Sequence, residues 1–268
     1  MSLPILRDRS AAGASPPWRP GGTLIANGFT IAVLAAWWGY AQVVPPYLLP
    51  GPWPVGSRMA DFFTDFTLAS QLATSLMHVS SAIVLAFVIG CALAVIAHFL
   101  PATRLLIDSV VTPFLNAFSG IGWLFLAILW FGLNSFTVIF AVTLILVPFT
   151  VINVRVGLEE LDSELLELGR SLSRSTYRRA TKIILPLLIP YLFAALRTSF
   201  GVSWKVVLTA ELFGGNAGVG YLLNVARQEF DTETIFAIIL FILLFVAAAE
   251  TLFFRPVQRR LDRRLARA

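Results

Sequence analysis

The sequence predicts an all-α polytopic membrane protein with six transmembrane helices, and three observations lead there. Apolar residues make up 57% of the 268-residue chain and charged residues 13%, the latter about half the share of a soluble domain. Mean hydropathy is +0.81, a surplus that no soluble core of this size absorbs, so lipid must be the solvent. The surplus is divided into long apolar runs, with Lys and Arg concentrated in alternate connections between them, the mark of a fixed membrane orientation. The net charge of +5 does not read as nucleic-acid binding, because the basic residues flank apolar runs instead of forming one face. The single cysteine, Cys91, excludes an intrachain disulfide or cysteine metal framework and reads as a small packing residue.

Residues 1–22 are rich in Pro, Gly, Ala and Ser and read as a flexible cytoplasmic arm. Residues 23–254 form the transmembrane domain, and 255–268 a basic cytoplasmic tail. The first span runs from Thr23 to Val44, with Trp37, Trp38 and Tyr40 as outer anchors. Pro45, Pro46, Pro50, Pro52 and Pro54 then forbid continuation, and Asp61 to Phe66 reads as a short surface helix. The second span covers Leu72 to Leu100 and stops at Pro101. The third is broken: Leu105 to Leu115, a polar interruption from Asn116 to Gly122, then Trp123 to Leu133. Ser135 to Val156 is the fourth, kinked at Pro148. Ile183 to Leu212 is the fifth, and a polar connector leads to the sixth, Ile235 to Phe254, ended by Arg255-Pro256.

With the N-terminus inside, 16 of the 20 Lys and Arg fall in inner segments. Only Arg58 and Arg227 are outside, and Arg197 and Lys205 lie within the fifth span. Both termini are therefore expected on the cytoplasmic side of the membrane.

One stretch stands apart, the polar island Glu159–Lys182. Leu161, Leu165, Leu168 and Leu172 recur at helical spacing, with carboxylates early and arginines late, as the helix dipole favours. Such a helix between two spans is a handle for another protein: apolar anchors for a groove, with Glu167, Arg170 and Arg174 at its rim. Counting on from Glu167, Leu168 and Gly169, Ser173 follows and then Ile183, Leu185 and Pro186. This register resembles the coupling segment of binding-protein-dependent ABC importer permeases, whose pattern is Glu-Ala-Ala, three residues, Gly, nine residues, Ile-x-Leu-Pro. Leu168, Gly169 and Ser173 depart from it, while Glu167, Ile183, Leu185 and Pro186 keep it.

Four further stretches narrow the resemblance to the branch serving nitrate, sulfonates, taurine, bicarbonate and some heterocyclic nutrients. They are Leu49-Pro50-Gly51-Pro52; Gly122-Trp123-Leu124 with Trp130-Phe131-Gly132-Leu133; Arg197 through Gly201 to Trp204; and Ala210-Glu211-Leu212 followed by Gly218-Val219-Gly220. His78 stands where arginine is common, and Ser119-Gly120-Ile121-Gly122 replaces a proline-rich stretch. The resemblance implies the transmembrane domain of a type I ABC importer, present as two copies. It also implies two cytoplasmic ATPase subunits and an external solute-binding protein. It assigns Glu167, Leu168, Gly169, Arg170, Leu172, Ser173, Arg174 and Pro186 to ATPase coupling.

No Gly-x-x-x-x-Gly-Lys-Ser/Thr loop occurs, so the chain is expected to hold no cofactor and no metal of its own and to have no catalytic residue. ATP and magnesium belong to the partner ATPase. Candidate path residues are Asn116 and Ser119 at the polar break, and Arg197, Lys205 and Glu211 on the fifth span. Each has a plainer reading. Arg197 is equally read as satisfying carbonyls or a carboxylate of another span, Lys205 as reaching to the outer interface, and the break as a bent packing site. His78 and His98 read as packing histidines, and Glu250 as a partner of the basic tail. An uncancelled Arg197 favours a small anion as cargo. The alternatives are a neutral heterocyclic nutrient such as a vitamin precursor, and a stand-alone secondary transporter, which leaves the handle without a purpose. An intramembrane enzyme lacks any readable constellation.

Overall fold

Caps and prolines, more than helix propensity, set the boundaries of the elements. The computed structural model describes residues 20–160, 182 and 184–265, and among them every regular element is helical. Residues 1–19 of the expected arm and the coupling residues Glu167 to Arg174 lie outside the described residues, while the last three arm residues, 20–22, begin the first helix instead.

Helix α1 is Pro20–Ala41, α2 Pro52–Thr64 and α3 Phe66–Phe99. Pro101–Leu106 (α4) passes through a wide turn, Ile107–Val111, into Thr112–Ala117 (α5) and then Gly120–Phe131 (α6). Helix α7 is Ser135–Glu159, α8 Leu185–Gly214, α9 Val219–Glu229 and α10 Thr232–Ala249. A second wide turn, Glu250–Phe254, leads into α11, Arg255–Leu265. Three spans begin with a side-chain cap: Asp65 accepts from Thr67 N–H at 2.7 Å, Asn134 from Thr137 N–H at 2.9 Å and Asp231 from Thr234 N–H at 3.1 Å. Each cap satisfies an amide that the helix itself leaves unpaired.

Four stretches are long and apolar enough to cross a membrane: Phe66–Phe99, Ser135–Glu159, Leu185–Gly214 and Thr232–Leu261. A fifth is the bent pair Ala102–Ala117 and Gly120–Phe131, folded by 85° at the polar break. The expected first span survives as a shorter apolar helix, Gly28–Ala41. It is held at the edge by Trp37, whose indole donates to Pro50 O at 3.1 Å and stacks on Phe236.

Three boundaries differ from expectation. Helix α2 begins at Pro52, because prolines in a first helical turn give up amides that would be unpaired anyway. The connector after the fifth span contains α9. The helix of the sixth span does not end at Arg255-Pro256: the candidate span runs to Leu261 and the helix to Leu265, with the wide turn Glu250–Phe254 absorbing the register lost at Pro256. The wide turn Ile107–Val111 precedes Pro113 in the same way.

The core forms where α3, α7 and α8 cross. Of the α7 apolar window 56% is buried, against 17% for α8 and for the last span, so α7 is the central post and the others keep open faces. Gly90 permits the close crossing: a Cβ there would stand 2.6 Å from Thr150 Cβ. A second layer, Phe200, Trp204, Phe245 and Phe241, packs edge to face and stacked between α8 and α10.

Candidate functional site

Three constellations carry the chemistry of the molecule, and all of them involve α8 or the end of α7. The first closes the base of the coupling segment. Tyr191 of α8 donates its hydroxyl to Glu160, the residue after α7. The Tyr191 ring packs so tightly on Gly157 that a Cβ there would stand 2.5 Å from its Cγ. Beside it, nearly buried Arg155 reaches Asp108 at 2.9 Å and Glu159 at 2.6 Å, while Arg104 reaches Glu159 at 3.0 Å. These four charges join the α4–α5 arm to the last turn of α7. Pro186 sits in the first turn of α8, so the two helices flanking the coupling segment are braced to each other and to the bent span.

The second is an open groove of about 590 Å³ along α8, lined by Arg197, Gly201 and Lys205 from α8 with Glu250, Gln258 and Leu261 from the last span and its extension. Thr198, Gly201 and Lys205 form an exposed stripe on a helix whose opposite face, Ser199, Ser203 and Val207, is buried. The structure thus brings Arg197 and Lys205 to one surface. Arg197 is not uncancelled, however: Nε lies 3.2 Å from Glu250, a second guanidinium nitrogen also bonds that carboxylate, and a third bonds Gln258. The charge expected to be free is neutralised from another span. Glu250, expected to pair with the basic tail, pairs with Arg197 instead. A smaller groove of about 270 Å³ is lined by Ser119, Gly120, Ile145, Lys205 and Thr209. It places the polar break against α8. Asn116 is exposed on α5 and lines neither groove.

The third constellation is a buried polar knot. Glu211 is 0% exposed and so lies inside the protein, away from both grooves, in contrast to its expected place on the path. It accepts from His78 Nδ1 at 2.7 Å, from the Ser75 hydroxyl at 2.7 Å and from Gly220 N–H at 2.8 Å. Ser75 Oγ in turn accepts from Val219 N–H at 2.7 Å, and Gln71 Oε1 accepts from Gly218 N–H at 2.6 Å. Gln71, Ser75 and His78 occupy one face of α3 at helical spacing. The amides are the unpaired N-terminal ones of α9, where a carboxylate is favoured. Gly218 has φ +107° and a Cβ there would overlap the Glu211 carboxyl, so only glycine fits. The Glu211 … Gly218-Val219-Gly220 pattern is thereby explained: it ties α3, α8 and α9 together.

Sequence reasoning missed His78 as a partner of Glu211, because the two lie 133 positions apart. It also missed the Arg155 brace. An ionisable residue inside each apolar run was the available signal, but its partner was not.

Membrane-crossing helices and grooves that open along them define a class: a helical membrane transport subunit. The chain belongs to the family of binding-protein-dependent transport system inner membrane components, whose profile matches residues 86–267. The taurine transport system permease protein of Escherichia coli is 27% identical over 240 residues, 87% of this chain and 86% of that one. A Bacillus subtilis protein named as an aliphatic sulfonates transport permease is 29% identical over 233 residues, 86% of this chain and 84% of that one. The bicarbonate transport system permease protein of Synechococcus elongatus is 25% identical over 177 residues, 65% and 63% of the two chains. Among solved structures, a chain of the MetNI methionine ABC transporter in an inward-facing form superposes with a TM-score of 0.64 at 16% identity, covering 74% of this chain and 97% of that one. This last likeness concerns the fold, that of an ABC importer permease.

Proposed function

We propose that this permease carries a small anionic nutrient, received from an external binding protein, through a path enclosed by two copies of the chain and driven by two cytoplasmic ATPases. ATP and magnesium are held by those ATPases. Their closure moves Glu167 to Arg174 and, through the Glu160–Tyr191 and Arg155 braces, the α7–α8 unit. The termini and the coupling segment face the cytoplasm, as the distribution of Lys and Arg supports.

The observation that carries the reading is the α8 groove. It is open along its length, so one copy does not enclose a path, and its charged lining of Arg197, Lys205 and Glu250 leaves a net positive charge. A second α8 stripe across a two-fold axis closes the groove. The solutes for which these relatives are named, taurine, aliphatic sulfonates and bicarbonate, belong to the class such a lining favours.

The test is a ligand screen on the purified complex of this chain, its ATPase and its binding protein in lipid nanodiscs. A sulfonate, carboxylate or similar oxyanion should raise ATP hydrolysis above the unliganded rate. Stimulation confined to a neutral heterocycle or a cation would refute the cargo assignment.

A further inference from the structure

Resting on that reading, we propose that Lys205 is the specificity-determining contact for the negative group of the solute, while Arg197 is a structural residue of the groove wall. Lys205 lines both grooves, the one of about 590 Å³ along α8 and the one of about 270 Å³ against the polar break. A solute moving between them along α8 passes its ammonium. In the smaller groove Lys205 is the only charged lining residue. In the larger one Arg197 and Glu250 cancel, leaving Lys205 as the remaining charge. Among the described residues Lys205 has no ion-pair partner, and its side chain is exposed at the junction.

The surroundings fit a transient anion contact and not a tight site. Thr209, one turn on, turns its hydroxyl proton inward to Lys205 O at 3.0 Å, and the remaining lining is mainly Ile145, Val206 and Ala210 with Ser119. A single ammonium on a flexible stem offers a point charge without the two-pronged geometry that would hold an oxyanion fast. Conduction needs that balance, attraction strong enough to admit the anion and weak enough to release it. The same charge repels cationic solutes over a distance set by screening.

The charge is read without knowing the solute. Thr209→Cys is introduced in a Cys91→Ser background, with Ser119→Cys as a second reporter from another element. The assembled complex with ATPase and binding protein is labelled by sulfonatoethyl or trimethylammonioethyl methanethiosulfonate, each rate normalised to that on a free thiol. With Lys205 present, the anionic reagent should be favoured by about five-fold or more. Lys205→Gln should bring the ratio close to one at both reporters, and Lys205→Arg should preserve it. A ratio near one with Lys205 in place, a ratio unmoved by Lys205→Gln, or no labelling by either reagent at either reporter would each overturn the proposal. Since labelling needs no solute, the two failures separate. A flat ratio removes Lys205 and leaves the anion importer standing, whereas a normal ratio with uptake confined to neutral or cationic solutes removes the cargo assignment.

Discussion

Removing His78 and Glu211 together should cost the fold less than the two single removals added up. Glu211 is wholly buried and receives three donors, of which the His78 ring is one. His78→Leu leaves the buried Glu211 side chain short of one of its three donors, costing about 1–3 kcal/mol. Glu211→Leu leaves His78 Nδ1, the Ser75 hydroxyl and Gly220 N–H without their acceptor, each orphan costing about 1–3 kcal/mol. The double variant removes the imidazole and its acceptor together, so its loss should fall short of the sum of the singles by about 2 kcal/mol. The assay is unfolding of the detergent-solubilised complex, followed by intrinsic fluorescence for wild type, both singles and the double. Strict additivity, or singles within about 0.5 kcal/mol of wild type, a range typical of unremarkable surface sites, would refute the knot as the tie between α3, α8 and α9.

Other variants test other joints. Glu167→Lys with Leu168→Asp should leave the permease folded in the membrane but unable to retain its ATPase, read by co-purification; normal retention and uptake would count against the docking assignment. Arg197→Glu and Glu250→Arg should each lower stability, and the swap should restore it in part; the pair is about one-third exposed (37% and 30%), so each single loss is expected near 1 kcal/mol. Gly90→Val places atoms against Thr150 at the α3–α7 crossing, and overpacking there should cost about 1–3 kcal/mol; an unshifted unfolding midpoint would contradict that contact. Cysteines at Thr198 and Gly201, on the exposed stripe of α8, should cross-link between two copies in the assembled complex, whereas one at buried Ser199 should not.

Much of the fold was legible because the bilayer imposes length and apolarity. The second to sixth apolar runs of the sequence correspond to α3, the bent pair, α7, α8 and α10. The break at Asn116 to Gly122 was visible as polar residues in an apolar context, and the structure bends there by 85°. Helix α9 was hidden because its polar, glycine-led sequence has no apolar run, and its position depends on Glu211 accepting its first amides. The continuation past Pro256 was hidden because a wide turn absorbs what proline removes, a choice made by packing on α8 and not by local propensity. For the site, the sequence showed Arg197 and Lys205 as ionisable residues within an apolar run. It did not reveal that Glu250, 53 positions away, cancels one of them. Partners in a membrane are chosen across helices, and a single sequence does not record that pairing.

ATP-driven accumulation in sealed proteoliposomes tests the central claim most directly. The chain, its ATPase and its binding protein are reconstituted with ATP on the ATPase side and an anionic solute, taurine or bicarbonate among those tried, with the binding protein on the other. The account predicts inward accumulation against a gradient that requires ATP and binding protein together, and that the Glu167→Lys, Leu168→Asp variant abolishes. Downhill flux of the solute through the permease without ATPase or binding protein, or accumulation unaffected by the coupling variant, would contradict it.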